Sequence, residues 1–159
     1  MDKSLIKDAL TPIQYVNAQG EIKTLDPKKI LTFDNDDMPM GSTANTYFLV
    51  ARLAERKRLE TKDLESQLDA LRGTLYIKYV SDQNLIDLNK GRKPPESMLT
   101  TAIESDAQYI TLHKQVNEAE YYARTLNWLA KALDKKMDLM QTASANLRQQ
   151  YKMSNNQLG

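Results

Sequence analysis

Residues 98–151, MLTTAIESDAQYITLHKQVNEAEYYARTLNWLAKALDKKMDLMQTASANLRQQY, carry a small or apolar side chain every three or four positions. The series runs Met98, Ala102, Ser105, Tyr109, Leu112, Val116, Ala119, Ala123, Leu126, Ala130, Leu133, Met137, Met140, Ser144, Leu147 and Tyr151, with no Gly or Pro inside it. A period near 3.5 residues is the seam of a helix packed along its length on other helices. Such a helix would be about 80 Å long, and alone it would leave its seam wet. The spacing therefore predicts a long oligomerisation helix over 98–152. Its assembly face would hold Leu112, Val116, Ala123, Leu126, Ala130, Leu133, Met137 and Met140. An intramolecular hairpin with an earlier helix satisfies the seam equally well. Ala102, Ala119, Ala123, Ala130 and Ser144 stand where a two-stranded zipper prefers Leu or Ile, so the seam is not that of a plain dimeric zipper, and its length predicts a homo-oligomer above a dimer. A second stripe, Leu99, Ile103, Ile110, Val116, Tyr122, Leu126, Leu129 and Leu133, widens the apolar face.

Upstream lies a basic loop over 82–97, with a small cluster of cations at Lys90, Arg92 and Lys93, one short turn at Asn84–Leu88 and a Pro94-Pro95 pair suited to a helix start. Before it a first long basic helix covers 41–81, capped by Ser42 or Thr43. Its seam is Tyr47, Val50, Ala54, Lys57, Thr61, Leu64, Leu68, Leu71 and Leu75, and Gly73 weakens it near the end. Residues 1–40 form an N-terminal segment. There Ile13–Asn17 and Glu21–Leu25 alternate in apolar character around Ala18-Gln19-Gly20, which predicts a β-hairpin. Asp26-Pro27 reads as a turn or helix start. Asp34–Gly41 is an acidic linker, and the tail 153–159 reads as disordered. The fold class is mainly α: two long helices in a helical hairpin or coiled-coil assembly, with a small N-terminal hairpin segment.

A chain of 159 residues reads as one domain, and a net charge of +1 excludes a polybasic protein. Zero cysteines exclude thiol catalysis and cysteine-bound zinc. No run is apolar enough to span a bilayer, and the first residues lack a signal-peptide core, so a cytoplasmic protein without a membrane partner is expected. Enzyme signals are close to absent. His113 has no acidic residue at i±4 to complete a metal pair and reads as a packing or hydrogen-bonding residue. Asp34, Asp36 and Asp37 lack the glycine and terminal Glu of a calcium loop. No glycine-rich phosphate loop exists. Asp106, on an apolar face, reads as the partner of a Lys or Arg rather than as a general acid. No catalytic residue, metal or cofactor is expected.

The remaining chemical lead is basic. Residues 41–81 hold seven basic and five acidic side chains, and Arg52, Arg56, Lys57, Arg58 and Lys62 fall within three turns. In one chain this reads as a solvated face paired with Glu55, Glu60 and Asp63. In a closed assembly the same cations become a ring that holds a phosphate backbone by releasing counterions. Tyr76, Tyr79, Tyr121, Tyr122 and Trp128 would supply base stacking if exposed, though core positions are expected for most.

Over residues 28–150 the chain resembles the UvsY-like recombination mediator proteins of tailed bacteriophages. The resemblance rests on an extended Lys28-Lys29-led segment, the aromatic helix start Tyr47-Phe48, and the basic helix ending LRGTLYIKY at 71–79. A helix opening SMLTTAIESDAQ at 97–108 and the aromatic turn EYYARTLNWL at 120–129 complete it. Residues 1–27 have no counterpart in that family. The resemblance implies a non-enzymatic protein of a bacterial host's cytoplasm that forms a ring and binds single-stranded DNA. It would assist the loading of a RecA-like recombinase onto DNA coated by single-strand-binding protein. The DNA-binding positions it points to, with those of the basic clusters, are Arg52, Arg56, Lys57, Arg58, Arg72, Lys78, Arg92 and Lys93. The competing readings are a coiled-coil structural or adaptor protein of a virion or cell, and a small inhibitor of a host protein.

Overall fold

The computed structural model describes residues 11–32 and 40–156, with side chains to Met153. Strands β1 (Ile13–Val16) and β2 (Ile22–Leu25) are followed by α1 (Pro27–Leu31), α2 (Met40–Val80), α3 (Gln83–Leu88), α4 (Glu96–Glu104) and α5 (Ala107–Asn156). The chain is thus mainly helical, with a small antiparallel hairpin. It divides into two compact units: a terminal unit, Met1–Ala54 with Arg124–Gly159, and a central unit, Glu55–Ala123.

In the terminal unit the hairpin forms where the alternation places it. Ile13 pairs with Leu25 and Val16 with Ile22. The connection closes on Asn17, whose Oδ1 accepts from the backbone N–H groups of Gln19 (3.0 Å) and Glu21 (2.9 Å). Gly20 supplies the positive φ of 82° that a side chain would resist. Asp26 then caps α1 by accepting from the Lys28 N–H at 3.0 Å, and Pro27 fills the first helical position, where no N–H is needed. Lys28–Leu31 are therefore helical, not extended as the family resemblance implies. Lys136 ties α1 down by donating to the Ile30 carbonyl at 2.8 Å.

The core of this unit joins Leu25, Val50, Leu126, Leu129, Ala130 and Leu133, with Ile13, Tyr15, Ile30, Leu31, Tyr47 and Leu53 packed around it. Helices α2 and α5 meet here, and their seams cover each other within one chain. Leu133 and Met140 are 0 % exposed. Leu126, Ala130, Leu133 and Met140, expected on an assembly face or in an intramolecular hairpin, are buried within the one chain. Met137 is half-buried, whereas Leu147 and Tyr151 at the end of the series are exposed.

In the central unit Leu75, Leu99, Ile103, Val116 and Ala119 are buried, and Leu112 and Ala123 are half-buried. These seam positions are also covered without a second chain. Thr61 is buried on the α2 seam, and its hydroxyl donates to the Lys57 carbonyl at 2.9 Å, so no polar group is orphaned there. The single helix expected over 98–152 is two helices, α4 and α5, parted at Ser105–Asp106. Asp106 begins α5 by accepting from the Gln108 N–H at 2.9 Å, the ordinary work of an N-cap.

Further expectations meet the structure in different ways. Ser42 and Thr43 lie inside α2 rather than at its cap, and Thr43 is buried. The short turn at Asn84–Leu88 is α3, whose cap is Asp82. The acidic residues Asp34, Asp36 and Asp37 and the last three residues of the expected disordered tail lie outside the described residues, while α5 continues through Asn156.

Candidate nucleic-acid interface

The long α2 displays most of the candidate cations, and its seam fixes which of them face water. Arg52, in the terminal unit, is exposed. In the central unit Arg56, Arg58, Arg72, Lys78, Arg92 and Lys93 are exposed, and Lys57 is half-buried. Exposure does not make them equal.

Three of the cations already hold a carboxylate. Lys57 donates to both oxygens of Glu60, at 2.9 and 2.8 Å. Arg58 forks onto Glu55 through Nε at 2.9 Å and an Nη at 2.6 Å, and that hydrogen bond holds the Glu55 carboxyl below its ordinary range. Both pairs are exposed and span i,i+3, so each adds little stability. Each also neutralises a charge that a phosphate would need. Lys78 is the third: its Nζ lies 3.3 Å from Asp106 and 4.7 Å from the centroid of the Tyr79 ring.

The Lys78–Tyr79–Asp106 group joins the end of α2 to the start of α5. The Tyr79 hydroxyl donates to Asp106 at 2.8 Å. Asp106 therefore accepts from a phenol, a backbone N–H and an ammonium. The tyrosine hydrogen bond, then the Gln108 N–H and Lys78, hold its carboxyl below the usual carboxylate range. The same carboxylate raises the Lys78 ammonium and the Tyr79 hydroxyl. Asp106 is the partner of a lysine, as its place on an apolar face predicts, and Lys78 acts first as a clamp.

The remaining cations form no ion pair among the described residues: Arg52, Arg56, Arg72, Arg92 and Lys93. Lys90 joins them, outside the residues that the sequence singles out for DNA. The aromatic side chains divide in a way the sequence misses. Tyr76 and Tyr79 are half-buried, but Tyr121, Tyr122 and Trp128 are exposed, Trp128 at 60 %. Tyr121 and Tyr122 meet edge to face at 5.9 Å. His113 is exposed and stacks on Tyr109, with centroids 5.9 Å apart and the planes 8° from parallel.

Among the described residues no group of His, Cys, Asp and Glu could hold a metal ion. No helix among them is long and apolar enough to cross a membrane. Comparison of the chain with protein-family models, curated proteins and solved structures gives no match.

Proposed function

We propose that the protein is a non-enzymatic mediator of phage-type DNA recombination that binds single-stranded DNA and assists the loading of a RecA-like recombinase onto it. The observation that carries this reading is the set of exposed cations of the central unit that form no ion pair among the described residues, Arg56, Arg72, Arg92 and Lys93. Charges left without carboxylate partners release counterions on meeting phosphate, and they do so with little regard to base sequence. The resemblance over residues 28–150 supplies the recombinase, the single-strand-binding protein and the bacterial cytoplasm as the setting.

A homo-oligomeric ring remains part of this proposal, but its surface moves. Leu126, Ala130, Leu133 and Met140 are covered within the chain, so subunits would meet on other residues. On α5 of the terminal unit, Trp128 and Leu139 are exposed at 60 % and 62 %. They lie eleven residues apart, about three turns, and so on one helix face.

The test is fluorescence anisotropy of a labelled oligothymidine from low to moderate salt. Binding at low salt is expected, and replacing Arg56 and Arg72 with Gln should weaken it severalfold while the circular dichroism stays that of the parent. The absence of binding at low salt would overturn the mediator reading in favour of a coiled-coil adaptor. That second reading has its own support in the pairing of Lys57 and Arg58 with glutamates and in the exposed Trp128 and Leu139.

A further inference from the structure

The connection between α3 and α4 holds a lysine in a conformation that lysine rarely adopts. Among the described residues Lys90 is the one non-glycine with positive φ, at 58°, and Gly91 follows at 74°. The hydrogen bonds explain the shape. The Lys90 N–H donates to the Asp87 carbonyl at 3.0 Å and the Gly91 N–H to the Ile86 carbonyl at 2.9 Å. These are the two bonds of a Schellman helix end, in which the first residue past the cap is left-handed and is usually glycine. Here the sequence places glycine one position late and puts lysine where a Cβ is strained.

The rest of the loop is fixed as well. The Asn89 amide donates to the carbonyls of Arg92 (3.3 Å) and Lys93 (2.7 Å). Pro94, buried, and Pro95 then restrict the backbone into α4. Lys90, Arg92 and Lys93 are all exposed and none has an ion pair among the described residues. The neighbouring acidic groups are Asp87, which accepts from Gln83 at 2.7 Å, and Glu96 in the first turn of α4. Three cations in four residues thus stand on a backbone that is already ordered, where loops of this composition are ordinarily free to move. Ordering that is present before binding removes an entropic cost from the association.

We propose that Lys90, Arg92 and Lys93 form a preorganised clamp for consecutive backbone phosphates of single-stranded nucleic acid, and that lysine is kept at the strained position for its charge. This rests on the single-stranded DNA reading above and adds to it an ordered backbone for the loop's cation cluster and a role for Lys90, which that reading does not count among its DNA-binding residues.

Lys90→Gly separates the two roles of the residue, because it relieves the strain and deletes the charge together. The variant should melt no lower than the parent, while its affinity for oligothymidine falls and the magnitude of its log–log salt slope drops by about 0.7 for each phosphate the protein no longer holds. Lys90→Arg, which keeps both the charge and the strain, should bind and melt as the parent does. Arg92→Gln with Lys93→Gln should weaken affinity further and shift the slope again. If the parent binds and Lys90→Gly and the double variant bind as well as it does, with the same slope, the clamp is refuted and the mediator reading stands on α2. If the parent does not bind at low salt, both are refuted.

Discussion

Replacing Leu133 with Ala asks whether the seam is internal to the chain. Leu133 is 0 % exposed and shares a core with Val50, Leu126, Leu129 and Ala130. Its removal deletes buried methyl groups and leaves a cavity that close-packed neighbours fill only in part, which costs about 3–4 kcal/mol. For a chain of this size that is a fall in Tm of about 6–16 °C. Leu147, 41 % exposed, sits in the same sequence series, and its change to Ala should cost less than about 1 kcal/mol. The assay is thermal and urea unfolding followed by circular dichroism at widely separated protein concentrations. A seam buried against the chain's own α2 gives a difference between variant and parent that does not depend on concentration. A seam buried against another subunit gives a difference that does, because dissociation is then linked to unfolding. A Leu133→Ala melting point within about 1 °C of the parent's, or a destabilisation that shrinks as protein is concentrated, would refute this internal packing.

Three other outcomes follow from particular residues. Gly73 lies inside α2 with nothing within 4 Å of an added Cβ, so Gly73→Ala should stabilise by about 0.5–1 kcal/mol, read in urea unfolding. Asp106 has its carboxyl pKa lowered in the folded state, so its contribution is present at neutral pH and is lost as the pH falls through that lowered value. Asp106→Asn should therefore lower Tm at neutral pH by more than it does under acid conditions, and an equal drop at both would contradict the linkage. Trp128→Asp with Leu139→Asp should lower the mass seen in sedimentation while leaving the helical signal intact, and unchanged mass would place the assembly surface elsewhere.

The elements most legible in the sequence are those fixed by local rules. The alternation of Ile13–Val16 and Ile22–Leu25 and the Asn17–Gly20 turn chemistry mark the hairpin and its register, and packing of Ile13, Tyr15 and Leu25 on the core then holds it. The α2 and α5 seams are legible for the same reason, since residues such as Val50, Thr61, Leu75, Leu126 and Leu133 lie at the expected period and are buried. A period says that a face is covered; it does not say by whom, and that is why one seam reads equally as an oligomer or as a hairpin. The break at Ser105–Asp106 escapes notice because the small and apolar spacing keeps its phase through it, from Ala102 through Ser105 to Tyr109. The signal was present in Ser105-Asp106, a capping sequence placed before Ala107-Gln108. In the candidate site the cations are visible as letters, but their pairing depends on rotamers. Lys57 with Glu60 and Arg58 with Glu55 settle at i,i+3, and Lys78 meets Asp106 across 28 positions. The left-handed backbone of Lys90 has only Gly91 as its trace.

Pairing changes what the DNA reading requires. If the eight cations named from sequence and resemblance all met phosphate, counterion release would give a log–log salt slope of about −5.6 per subunit on single strands. Lys57, Arg58 and Lys78 hold Glu60, Glu55 and Asp106, and breaking those ion pairs to reach phosphate returns part of the gain. The four of the central unit without an ion pair among the described residues, Arg56, Arg72, Arg92 and Lys93, give about −2.8. So small a set binds weakly in one chain. Useful affinity then depends on several copies engaging one strand, where the second engagement is made at high effective concentration. The proposed function therefore needs an assembly, even though the seam that first suggested one is buried within the subunit. That need puts the weight on exposed apolar positions such as Trp128 and Leu139, and it joins the two experiments: variants that dissociate the subunits should also release the strand, with Arg56 and Arg72 untouched.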